Sequence, residues 1–233
     1  MLTLDDLGTA SAPRPSLVED AYRALKEAIR ENVFPPGYQG SEQEIASRLG
    51  MSRTPVHEAI IRLQEDGLVQ VLPRRGVLIC PISADDIGEI YDVLIAVEGM
   101  AAALQVAFPG DLATASAGAL DRETANMAAA LREGRLLDWA AADDRFHRLL
   151  TEGCGNRRLA RIAATVRDQA HRARLFTLHL RPRPEASTEE HCRITAAIRA
   201  GVPGEAELAA RVHRSHARDT LLPLLAQFGM RNL

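Results

Sequence analysis

The sequence predicts a mostly α-helical protein in two parts. An N-terminal winged helix-turn-helix with a small β-hairpin wing precedes a C-terminal all-α bundle of roughly six or seven helices. Three observations carry this. Between Ser41 and Gly67, two short amphipathic segments, each opening on a capping residue, are separated by Gly50. Next, the apolar runs Leu68–Leu72 and Val77–Ile79 flank the turn Pro73-Arg74-Arg75-Gly76. From Ser83 onward apolar residues recur at helical spacing with almost no strand signal.

In chain order, residues 1–15, with Pro13 and Pro15 and no sustained period, are expected to form a mobile arm. Ser16 with Glu19 opens a helix to Asn32, whose Val18, Ala21, Tyr22, Leu25 and Ile29 share one face. After the turn Pro35-Pro36-Gly37, Ser41 and Glu44 form a capping box for a helix with Ile45, Ala46 and Leu49 on its apolar side; Gly50 stops it. Ser52 or Thr54 caps the next helix, and Pro55 suits a first helical position that has no amide to satisfy. Val56, Ala59, Ile60 and Leu63 make its buried stripe, and Gly67 closes it. A second boundary falls at Cys80-Pro81-Ile82, which places the winged domain at 16–80 and the helical domain at 81–233. Ser83 with Asp86 caps the first of the later helices, expected near 83–107, 110–133, 135–153, 156–180, 185–200 and 204–228. Pro109-Gly110, Gly134, Gly153–Asn156, Arg181–Pro184 and Gly201–Gly204 separate them.

Two short helices joined by a glycine turn match a helix-turn-helix reader of double-stranded DNA, whose second helix enters the major groove; the same pattern occurs in many all-helical proteins, and the hairpin behind it favours the DNA reading. Arg53, His57 and Arg62 lie off the buried stripe, and Gln43, Ser52 and Thr54 stand near the same helix starts. Arg74 and Arg75 beside Gly76 make a cationic wing tip suited to phosphates or a narrow minor groove. The formal net charge of −3 excludes an affinity for DNA that comes from the overall field, so it must come from a local patch and from two readers per molecule. No apolar run approaches the ~20 residues a membrane helix needs, and no basic-then-apolar leader opens the chain; a cytoplasmic protein, nucleoid-associated when on DNA, is expected. Cys80, Cys154 and Cys192 lack metal-finger spacing and read as ordinary thiols.

Within the helical half one constellation carries chemistry. Asp143 and His147, four apart in AADDRFHRLL, project from one helical face. With His191 and His213 they supply three imidazoles and one carboxylate, a donor set for a divalent ion such as zinc, nickel or manganese. Surface or satisfied core histidines are the plainer reading of the same residues.

The segment Ser52–Leu63 resembles the recognition helix of the GntR superfamily of bacterial regulators, in which a serine-arginine-threonine-proline-valine start is close to a signature. The helical half resembles the effector domain of the FadR subfamily, of the FCD type. The GntR resemblance implies DNA-binding positions at Gln43, Ser52, Arg53, Thr54, His57, Arg75 and Gly76. Asp143, His147, Gly155 and Asn156 match one metal-domain motif, and Glu190, His191, Ile194, Ala197 and Ile198 match a second. The last ligand falls on His213 in an ungapped match, or on His216 if Val202–Gly204 is an insertion. Two departures stand out. His57 replaces the family's usual arginine, and Leu94 occupies the place of an arginine four residues before Glu98. Leu94 either simply packs, or marks an effector less acidic than usual, or one whose acid group is met by the metal and another residue. His171 and Arg174 are candidates to face that cavity.

The resemblance implies a homodimeric, ligand-responsive transcription regulator, in most cases a repressor, released from an inverted-repeat operator by a small organic acid bound beside the metal. Two other classes remain to be weighed. A metal-dependent hydrolase would use the open metal position but needs a base and an oxyanion stabiliser, and the chain has no nucleophile elbow, phosphate loop or paired-acid motif. A helical structural protein with a weakened reader would account for His57, since neutral histidine offers one donor where arginine offers two on a longer arm.

Overall fold

A computed structural model describes residues 16–108 and 110–227; the arm expected over 1–15 lies outside them. The first unit carries α1 (Leu17–Arg30), β1 (Gln39–Gly40), α2 (Glu42–Leu49), α3 (Arg53–Glu65), β2 (Val69–Leu72) and β3 (Gly76–Ile79). In the second lie α4 (Ala84–Val106), α5 (Gly110–Arg132), α6 (Leu136–Glu152), α7 (Arg157–Phe176), α8 (Glu185–Ala200) and α9 (Pro203–Gln227). Two compact units part between Cys80 and Pro81, with Arg30–Asn32 grouped with the second. The mostly helical class with a small antiparallel sheet is borne out.

In the first unit the Ser41 hydroxyl accepts the Glu44 amide at 3.1 Å, which satisfies one orphan donor of α2. The reciprocal half of the expected capping box is absent among the described residues. Instead the Glu44 carboxylate accepts the Tyr38 hydroxyl at 2.6 Å. Gly50 ends α2 in the left-handed region at φ 66°, as a helix stop without Cβ should. Helix α3 begins at Arg53 with Ser52 as a cap that makes no side-chain bond, so Pro55 is the third helical residue rather than the first. It is tolerated there because the first four amides of a helix have no intrahelical partner.

Strands β2 and β3 pair with Val69 opposite Ile79 and Leu72 opposite Gly76. A third strand adds to the expected hairpin: β1 pairs with β3, Gln39 opposite Leu78 and Gly40 opposite Val77. Two residues, one of them glycine, offer no alternation for a periodicity to detect. Their approach fixes Gly76, whose φ is 92° and whose added Cβ would collide with the Gly40 carbonyl oxygen. The sheet closes over a core of Leu25, Ile29, Ile45, Val56, Ile60, Leu63, Val77 and Ile79.

The helices of the second unit follow the expected segments closely, with α7 the exception. It ends at Phe176, and 177–180 form a turn in which the Thr177 hydroxyl donates to the Ala173 carbonyl and the Leu180 amide to the Thr177 carbonyl. Nothing before Pro182 reads as a breaker; the local side-chain bond of Thr177 competes for the ladder. Two apolar clusters pack the unit. One holds Trp139, Phe146, Leu150, Leu120, Met127 and Ile194; the other holds Ile87, Tyr91, Leu94, Ala173, Leu221 and Leu225. On α4, Glu98 stands between Leu94 of one cluster and Ala101 of the other, and on α9 His213 and Arg214 stand between Ala210 and Leu221. The polar site described next thus lies in the seam between two apolar layers.

Candidate functional site

The reader face lies on the first unit. Gln43, Ser52, Arg53, Thr54, His57 and Arg75 are exposed and Gly76 is half-buried. A groove of about 410 Å³ separates the starts of α2 and α3 from the wing and is lined by Glu42, Gln43, Arg53, Leu72, Arg74 and Gly76. Gln39 donates to the Arg75 carbonyl at 2.7 Å and ties the wing tip to β1. Glu42, which the sequence did not single out, takes His57 Nδ1 at 2.8 Å on one oxygen and Arg53 Nε at 3.4 Å on the other. Partial burial pushes its carboxyl up, but the bonds from His57 and Arg53 carry it below the usual range. Arg62 is not part of this face. It donates to Glu19 at 2.9 Å and lies over the Tyr22 ring.

In the second unit, α6 supplies Asp143 and His147, α8 supplies His191 and α9 supplies His213; one ligand atom from each lies within 4.8 Å of all the others. All four are buried. His147 Nε2 lies 3.1 Å from His191 Nε2 and 3.2 Å from His213 Nε2, with Asp143 Oδ1 3.5 Å from His191 Nε2. The other ring nitrogens identify the tautomers. His147 Nδ1 faces the Glu98 carboxylate at 2.9 Å, His191 Nδ1 the Ser187 carbonyl at 2.7 Å, and His213 Nδ1 the Glu190 carboxylate at 2.9 Å. Each partner only accepts, so each Nδ1 carries the proton and each Nε2 presents a lone pair. Three converging lone pairs beside a carboxylate repel one another unless a cation sits among them. A single proton could satisfy one pair of nitrogens and would leave the third opposed. The donor set therefore fits a divalent ion, with carboxylates behind two of the imidazoles as outer partners.

The electrostatics agree. Burial, with Arg214 nearby, holds His147 well below the ordinary imidazole range. Burial and the neighbouring His213 push His191 down to about 3. Burial opposes ionisation of Asp143, yet Arg174, His147 and His191 together hold its carboxyl far below the usual range. Arg174 Nη1 lies 2.7 Å from Asp143 Oδ2. Glu98 is the hub on the other side: Arg214 grips it in a bidentate pair at 2.7 and 2.5 Å while its Oε2 also accepts His147.

His216, the alternative to His213, is outside the group. Its side chain is 59% exposed and its Nδ1 bonds the far oxygen of Glu190 at 2.6 Å. Leu94 packs fully buried in the second apolar cluster. His171 is buried and lies 3.7 Å from Asp144, not beside the four-residue group. Sequence reasoning missed Arg214 and the part Glu98 plays. Their signal was positional: each is an ionisable residue in register with an apolar helical stripe, Tyr91-Leu94-Glu98-Ala101 on α4 and Ala210-Arg214-Ala217-Leu221 on α9.

A cavity of about 190 Å³ opens beside this group, lined in part by Arg181, Ser187, Glu190, His213, His216 and Thr220. It is smaller than the ~300–1,000 Å³ of drug-sized pockets, so an occupant is small.

Comparison with known proteins places these features. Residues 17–79 match the bacterial regulatory proteins of the gntR family, and residues 89–216 match the FCD domain. An uncharacterized HTH-type transcriptional regulator in the TAR-I ttuE-ttuC' intergenic region of Agrobacterium vitis is 51% identical over 147 residues, 63% of this chain and 86% of that relative. The HTH-type transcriptional repressor RspR of Escherichia coli K12 is 27% identical over 80% of each chain. Among solved structures, a GntR transcriptional regulator from Rhodococcus sp. RHA1 shares the fold at TM-score 0.74 and 24% identity, over 90% of this chain and 99% of that one. Members of this family are transcriptional regulators rather than enzymes, which sets the hydrolase alternative aside. FCD domains often bind metal ions, in keeping with the Asp/His group. No described helix is long and apolar enough to cross a membrane. The chain belongs to the GntR family of bacterial regulatory proteins, as a ligand-responsive, DNA-binding transcriptional regulator that joins a winged helix-turn-helix to an FCD domain.

Proposed function

We infer that the protein is a cytoplasmic, homodimeric repressor that leaves an inverted-repeat operator when a small organic acid binds beside a divalent ion. The domain from 16 to 80 reads DNA through Gln43, Ser52, Arg53, Thr54, His57, Arg75 and Gly76, and the domain from 81 to 233 senses and dimerises. Asp143, His147, His191 and His213 hold the ion, with zinc, nickel and manganese all compatible with nitrogen and oxygen donors. An ion held there supplies a Lewis-acidic position for an effector oxygen. The observation that supports this most directly is the convergence of three imidazole nitrogens beside Asp143, with His147 Nε2 3.1 Å from His191 Nε2 and 3.2 Å from His213 Nε2. Glu98 and Glu190 orient two of the rings and keep their lone pairs inward. A C2 dimer offers two readers to a palindromic site. The effector shifts the equilibrium only by its difference in affinity between the DNA-competent and DNA-released arrangements.

Metal analysis of the purified chain tests the assignment. Wild type is expected to hold a stoichiometric divalent ion, and His147→Ala and His191→Ala to lose it together with the stabilisation it gives, ~2.7 kcal/mol at a hundredfold excess over Kd. Unchanged metal occupancy in both variants would refute it. A His216→Ala variant with full occupancy supports His213 as the fourth ligand.

A further inference from the structure

The same unit contains a half-buried cation, Arg181, that the metal group does not use. Arg181 follows the turn that ends α7, lies with its guanidinium carbon 5.2 Å from the centre of the Trp139 ring, and lines the cavity that also reaches His213. Among the described residues its Nε and Nη2 are buried without a hydrogen-bond partner. Such donors cost free energy when left unpaired, and a charged one costs most. The fully buried arginines of the site are spoken for: Arg174 by Asp143 and Arg214 by Glu98. Burial, together with repulsion from Arg174, lowers Arg181 to about 10, as expected of a guanidinium that lacks a counter-ion. Two further unpaired donors share its surroundings, the Tyr91 hydroxyl and Arg214 Nη1, and Tyr91 interacts electrostatically with both arginines.

The geometry points to Arg181 as a second anion seat in the cavity, so that the effector is a small dianion with one acid group at the metal and the other at Arg181. This rests on the metal-and-acid reading above and names what that reading leaves open. The cavity is too small for anything but a short acid. Arg181 is a specificity-determining contact: a planar guanidinium with two unpaired donors matches a carboxylate, where an ammonium would present only a point charge.

The test uses the zinc-loaded full-length chain and isothermal titration with 2-hydroxy diacids of three to six carbons, each paired with the monoacid in which a methyl group replaces the distal carboxylate. At least one diacid is expected to bind ten- to a hundredfold tighter than its monoacid partner, the range of a hydrogen bond to a charged group. Arg181→Gln should erase that ratio while leaving zinc content and monoacid affinity unchanged, and Arg181→Lys should restore part of it. A diacid preference that survives in Arg181→Gln, or monoacids that bind wild type as tightly as diacids, would overturn the assignment of Arg181 alone. If the zinc-loaded protein binds no acid of either kind, the metal-and-acid reading falls with it. Should Arg181→Gln fail to fold, the same ratio measured on Arg181→Lys decides, since an unchanged ratio there overturns the proposal.

Discussion

Glu98 is the residue at which stability and metal affinity should be separable. Its Oε2 accepts both His147 Nδ1 and Arg214 Nε, and its Oε1 accepts Arg214 Nη2, all within the buried seam of the helical unit. Glu98→Ala leaves Arg214 charged and uncompensated, and breaking one side of a buried pair costs about 3–5 kcal/mol. At about 2–4 °C per kcal/mol for a chain of this size, the thermal midpoint should fall by about 6–20 °C. The same change removes the acceptor that fixes the His147 tautomer, and losing such an outer partner lowers metal affinity by about 10–100-fold. Leu94→Ala, one turn earlier on the same helix, is the control: it empties a fully buried apolar site at about 2–5 kcal/mol and touches no polar group of the centre. Calorimetry of the metal-free chains and zinc titration against a competing chelator give both quantities. If Glu98→Ala and Leu94→Ala destabilise alike and bind zinc alike, Glu98 is a structural ion pair only and its role behind His147 is wrong.

Two further outcomes follow from the same coordinates. Gly76→Ala forces a side chain onto a backbone at φ 92° and against the Gly40 carbonyl, at a cost of about 1–3 kcal/mol; DNA affinity at fixed salt should drop while metal content stays constant, and unchanged DNA affinity would show that the wing tolerates the shift. For pH, His147 and His191 are held neutral in the folded, metal-free chain below the range in which free imidazoles titrate. The unfolded chain therefore binds more protons below pH ~6.5, and stability must fall as pH falls, by about 2.7 kcal/mol for the two groups between pH ~7.5 and ~5.5. Denaturant unfolding of the metal-free protein at both pH values measures it, and equal midpoints would contradict the buried neutral state.

Much of this was legible in the chain because local chemistry reports on local structure. Ser41, Gly50, Ser83 and Asn156 each stand where a cap or a stop is needed, and each does that work in the structure; Asn156, for example, accepts the amides of Arg158 and Leu159. The Asp143–His147 spacing likewise speaks for one helical turn. The parts that were not legible depend on partners far apart in sequence. Strand β1 exists only because β3 lies beside it, and Glu44 leaves its capping box because Tyr38 is in reach. Arg214 becomes a partner of Glu98 only when α9 packs on α4, 116 residues away in the chain. Periodicity marks such residues as facing inward but cannot say what they meet.

The replacement of arginine by His57 looks different once Glu42 is in place. One carboxylate spans both His57 and Arg53, so the two side chains are held in a shared, partly ordered arrangement. Arg53 is 67% exposed, which puts its contact with Glu42 among surface ion pairs worth ~0–1 kcal/mol after solvent screening. A good bidentate base contact is worth about 1–3 kcal/mol, and phosphate contacts add counterion release. With Arg53 on the operator as proposed, DNA should outcompete Glu42 for it at small cost, so that Glu42 orders the side chain without blocking it. At position 57 the balance is closer, because histidine brings fewer donors to the exchange than arginine would. The expected outcome is that Arg53→Ala lowers operator affinity at fixed salt more than His57→Ala does, and equal losses in the two variants would contradict the proposed division of labour.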